Sequence, residues 1–191
     1  DLHADLLGAE RVGNRRRFLP RGENAILAAC RPLAPEQPGL LRLSPHDEML
    51  YLAFHAAKHN LARLMWLADL ARLSAAWEAA RWRELRERAV ALGANGLGAL
   101  AAALAGNPAA GALAGEKGGL SAAARCLIRR RLAGRRLPAW AFLILLRPAG
   151  LAGRAAFVAE SLFPRGAVLA AGEGPLRRHL GRAARALASL R

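Results

Sequence analysis

Cysteine is nearly absent. Cys30 and Cys126 are the only two in 191 residues. They lie far apart and form no Cys-x-x-Cys pair, so neither a zinc site nor a disulfide framework is encoded, and a reducing cytoplasm is the expected setting. Val and Ile are scarce, which excludes a large buried parallel sheet as the main architecture. Aromatic residues make up only 5% of the chain. Long apolar runs are missing too: the longest, residues 137–146, is about half of what a spanning helix needs, so no transmembrane segment is expected. A buried helix suits that run better than an interfacial one. Lysine is confined to Lys58 and Lys117.

What is present in quantity is Ala and Leu, both strong helix formers. Apolar residues reach 54%, which rules out a disordered chain. The expected fold class is mainly α: a helical bundle with a small N-terminal strand remnant. The net charge is +15. Residues 1–95 hold 14 basic and 11 acidic side chains, whereas residues 96–191 hold 15 basic and 3 acidic ones. An Ala-rich composition with Arg in place of Lys is also what a GC-rich coding sequence produces. Codon bias is therefore the plain account of the arginines. An anionic partner in the second half is the functional one.

The chain opens Asp1-Leu2-His3-Ala4-Asp5-Leu6-Leu7. Read as a strand, it sets Asp1, His3 and Asp5 on one face. An isolated strand needs a sheet, and little else reads as one, so further strands are expected upstream. Residues 1–43 are taken as the remnant of an α/β core with connecting loops, and residues 44–191 as a helical domain. Residues 23–30 suit a short helix, and residues 33–43 suit two extended pieces around a Pro/Gly turn. Ser44-Pro45-x-Asp47 is a helix N-terminus, with Ser at the cap, Pro first and a carboxylate third. That helix is expected to reach residue 60, with Met49, Leu50, Ala53, Phe54 and Ala57 inward. Further helices are expected over 61–74, 75–92, 95–105, 121–132, 138–146, 151–162 and 175–190. Within 61–74 the apolar face reads as Leu64, Leu67, Ala68 and Ala71.

One stretch carries chemistry. Tyr51, His55 and His59 recur every fourth residue and form one stripe of a helix. Lys58 reaches the edge of that stripe, Arg63 extends it, and Trp66 and Asp69 follow. Two histidines one turn apart can bind a metal, but the zinc-protease pattern needs Glu directly after the first, where Ala56 stands. Three readings stay open for these histidines. They are a half-buried pair bonded to Asp69 or to backbone carbonyls, a phosphate-contacting pair, or metal ligands.

At these residues the sequence resembles the uncharacterised nucleotidyltransferase family of the polymerase-β-like superfamily. The likeness runs through Asp1-Leu2-His3, Leu43-Ser44-Pro45, His55-x-x-Lys58-His59 and Arg63-Leu64-x-Trp66-Leu67-x-Asp69-Leu70-Ala71. It continues with Trp82 before Leu92-Gly93, and then Leu162-Phe163-Pro164. The resemblance implies nucleotidyl transfer from an NTP to an unknown acceptor, with Mg²⁺ or Mn²⁺ held by an Asp-x-Asp pair and a third carboxylate. Such metals need several converging carboxylates. The four aspartates here (Asp1, Asp5, Asp47 and Asp69) include no pair two apart. The catalytic pair is therefore expected upstream, with Asp1 as the third carboxylate. His55, Lys58, His59 and Arg63 would contact the nucleotide phosphates, supported by His3, Trp66 and Asp69. This chain alone is expected to be inactive and to hold no metal. The alternative is a non-catalytic, Arg-rich helical module binding nucleic acid or an anionic membrane surface. Its arginine runs lack interleaved aromatics, so single-strand stacking is not indicated.

Overall fold

The computed structural model describes residues 18–19, 23–37, 39–110, 120–146, 148 and 150–162. The expected strand over residues 1–7 and the expected helix over 175–190 lie outside them. The chain is mainly helical, with one small antiparallel sheet. α1 (Asn24–Leu27) precedes a two-stranded ribbon, β1 (Arg31–Pro32) and β2 (Leu41–Arg42), in which Arg31 pairs with Arg42 and Pro32 with Leu41. The two strands flank a Pro/Gly-rich connection, as residues 33–43 predict, with the pairing set slightly further out.

The core is built from α2 (Pro45–Lys58), α3 (Leu64–Leu73), α4 (Ala79–Leu92) and α5 (Asn95–Ala105). α5 touches all three of the others. It is apolar on every side, from Leu97 to Ala105, and a helix of that kind is stable only when surrounded. Gly98 permits a close crossing with α4: a Cβ there would come within 2.9 Å of the Ala89 Cβ. All five residues expected on the inner face of α2 are buried.

α2 starts as its cap predicts. The Asp47 N–H donates to Ser44 Oγ (3.1 Å), and the Ser44 hydroxyl donates to Asp47 Oδ2 (2.7 Å). α3 departs from expectation. It begins at Leu64 rather than 61, and Leu64 is exposed, as are Ala68 and Ala71, while Leu67 and Leu70 are buried. The cause lies in the preceding corner, where Asn60 (φ +54°) and Leu61 (φ +53°) are left-handed and cannot continue a helix. α4 begins at Ala79 rather than 75, because the chain first turns to bury Trp77 against Trp82. A 3₁₀ turn, Pro108–Ala110, follows α5.

α6 (Ala122–Leu132), capped by Ser121, buries Ala124, Leu127 and Ile128. α7 is only Phe142–Leu145, since the preceding residues form turns rather than the first turns of a helix. α8 (Leu151–Leu162) matches its expected span. Phe157 on α8 meets Phe18 and Phe142 edge-on, and Phe18 meets Phe54 of α2, so one aromatic chain ties both ends of the described fold together. No helix among the described residues is long and apolar enough to cross a membrane.

Candidate functional site

The Tyr51, His55 and His59 stripe forms as its spacing dictates. The Tyr51 and His55 rings are 5.9 Å apart, and those of His55 and His59 4.9 Å. What completes the site comes from α3. The Trp66 indole stands edge-on to His55, with centroids 4.8 Å apart and planes at 84°, and lies tilted against His59 at 5.0 Å. The Arg63 guanidinium sits 5.7 Å from the same indole, within cation–π range. His59 and Arg63 are exposed, while His55, Lys58, Trp66 and Asp69 are half-buried. His55, Lys58 and His59 each hold further partners. Asp69 lies one turn beyond Trp66, and the α3 ring packed on the imidazoles is Trp66. Asp1 and His3 lie outside the described residues.

The corner between the two helices decides this geometry. α2 ends in a Schellman motif: the Asn60 N–H donates to Ala57 O (2.9 Å) and the Leu61 N–H to Ala56 O (2.8 Å). Asn tolerates the left-handed cap better than other residues with side chains. Its side chain is also engaged. Asn60 Nδ2 donates to Ala139 O (3.1 Å), and Oδ1 accepts from the Phe142 N–H (2.7 Å). Arg131 of α6 donates from Nε to Leu61 O (2.7 Å) and from a terminal nitrogen to Ala62 O (3.1 Å). None of these long-range partners was visible in the sequence, although an Asn at a helix end is itself a recognisable stop signal.

A second polar centre also escaped sequence reasoning. Asp47, fully buried, accepts from Arg88 Nε (2.8 Å) and from a terminal nitrogen (2.9 Å), and the latter also donates to Ala25 O (2.8 Å). This bidentate pair joins α2, α4 and α1. Next to it, His46 stands edge-on to Trp77, with Nε2 3.4 Å from a Glu84 oxygen. Burial, then the Arg81 charge, lowers the His46 pKa below its usual value, against the opposing pull of Glu84 and Asp47. His46 is therefore neutral near pH 7, and its approach to Glu84 is not an ion pair there. The Asp47–Arg88 pair serves the packing of the helices.

Among the described residues, no three His, Cys, Asp or Glu side chains converge to hold a metal ion. The donor chemistry agrees. Mg²⁺ takes oxygen ligands, whereas this corner offers imidazole, indole, ammonium and guanidinium groups. The described residues do not fit Mg²⁺ or Mn²⁺. They fit an anion beside a flat ring: the Arg63 guanidinium and two imidazoles border the Trp66 indole, and Lys58 lies on the same helix as the imidazoles.

A family model described as uncharacterised nucleotidyltransferase matches residues 1–108. No curated protein and no solved structure matches the chain. The matched span takes in the whole α2–α3 corner and α5, and stops short of α6.

Proposed function

The chain belongs to the uncharacterised nucleotidyltransferase family, and on that premise we propose that the α2–α3 corner receives the nucleotide. Lys58 and Arg63 neutralise phosphate charge. His55 and His59 donate hydrogen bonds to phosphate oxygens, and Trp66 holds the two imidazoles in place. The observation that carries this reading is the indole packed on both imidazoles with a guanidinium over its ring. Two pieces of the family resemblance, the His55/His59 element and the Arg63/Trp66 element, thereby meet at one corner. The reaction is nucleotidyl transfer from an NTP to an acceptor that the residues do not specify. Asp69 and His3 are assigned supporting roles, and Asp1 the metal side. No pair of aspartates stands two apart in this sequence, so we further propose that the chain by itself does not turn over.

ATP titration by calorimetry tests the corner. Lys58→Ala should weaken binding by about 1–3 kcal/mol, the worth of a charge-assisted bond. Unchanged affinity with a lowered melting temperature would return Lys58 to a packing role. Turnover is checked with labelled NTPs and Mg²⁺ or Mn²⁺. Robust metal-dependent activity unaffected by Asp1→Asn would overturn the assignment of Asp1.

A second reading rests on α6. Arg129, Arg130 and Arg135 are exposed and, with Cys126, line a shallow depression of about 440 Å³. This face suits a polyanion such as a nucleic acid backbone or an anionic membrane. Its affinity would fall linearly with the logarithm of salt concentration. A salt-independent affinity for either would remove this reading.

A further inference from the structure

Arg131 differs from its neighbours. Arg129 and Arg130 are exposed at the end of α6, where positive charge complements the helix dipole. Arg131 is half-buried, and its guanidinium turns to the carbonyls of Leu61 and Ala62, about seventy residues away in sequence. Those carbonyls belong to a corner with two consecutive left-handed residues. Such a conformation costs roughly 1–2 kcal/mol per residue without glycine. The Schellman bonds and the burial of Leu61 account for the reversal of the chain after His59. They do not engage the carbonyls of Leu61 and Ala62, the residues that lead into α3. Arg131 secures them from outside, and Asn60 adds two bonds to the approach to α7.

We propose that Arg131 is a positioning residue for the nucleotide corner: by holding the Leu61 and Ala62 carbonyls it fixes the left-handed turn that sets Trp66 against His55 and His59. This rests on the reading that the corner binds nucleotide. It also gives the region beyond the family match a defined task, which is to lock the geometry of a site that lies within it. Arg131 needs no contact with the nucleotide to act in this way.

The test uses the full chain and a signal local to the corner. A protonated imidazole quenches a neighbouring indole. Trp66 fluorescence, taken as the difference from the Trp66→Phe protein, should therefore fall once acid protonates the two imidazoles packed on it. Arg131→Ala should flatten that titration and weaken ATP binding about tenfold, a size typical of coupled networks. Arg131→Lys, which can reach one carbonyl, should restore part of both. If Arg131→Ala does not fold, Arg131→Gln, whose amide can donate to one of the two carbonyls at most, should partly flatten the curve. An unaltered Trp66 titration in these variants overturns the positioning role, whatever happens to ATP affinity. A flattened titration with unchanged ATP affinity supports the positioning role and refutes nucleotide binding at the corner.

Discussion

α5 and α6 are both eleven residues long and draw on the same Ala and Leu. α5 buries eight of its residues and α6 three, and that contrast places one at the centre of the bundle and the other on its surface. The difference is charge. α5 carries none, so no face of it is better in water than in the core. α6 carries four arginines and can dock only through the stripe of Ala124, Leu127 and Ile128. The lesson is that apolar content alone does not predict depth in this chain. Arginine placement does, and the exception is an arginine given a backbone to hold.

The strongest way to break the contrast is to place an unpaired charge inside. Asp47→Ala leaves the Arg88 guanidinium without its carboxylate among α1, α2 and α4. It should cost about 3–5 kcal/mol in urea denaturation. Leu100→Ala in α5 comes next. A fully buried leucine there should cost about 2–5 kcal/mol, depending on how far the site collapses.

A pH scan sharpens the comparison from the polar side. The folded state holds His46 neutral below its ordinary pKa of 6.5, so the unfolded chain takes up the proton first. Stability should be unaffected by this group above about pH 6.5 and should fall as pH drops below it. His46→Gln should flatten that part of the profile, and an unchanged slope would remove His46 as its source. The smallest effect belongs to α6: Leu132→Ala, at an exposed position, should stay within about 0.5 kcal/mol of the parent.

Much of the helical frame was legible because its signals are local. Ser44-Pro45-x-Asp47, Ser121 and Gly93 mark ends by chemistry that acts within one turn. Likewise the Tyr51, His55 and His59 stripe follows from helical period alone. What could not be read depends on how helices cross. Asp47 gave no sign that its partner stands at Arg88, nor Asn60 that it would bond Ala139 and Phe142. The start of α3 was misplaced for the same reason: propensity favours helix through 61–63, and a tertiary clamp holds the corner otherwise. Within the candidate site, Trp66 was singled out by its place in the sequence, but its packing on both imidazoles depends on how α2 and α3 cross.

The reach of Arg131 has a consequence in time. A ribosome adds about 5–20 residues per second, so Leu61 exists for several seconds before Arg131 is made. During that interval α2 and α3 can meet, but the turn between them lacks its outside donor. Synthesis thus imposes an order on the molecule, in which the corner is drafted early and finished only when α6 arrives.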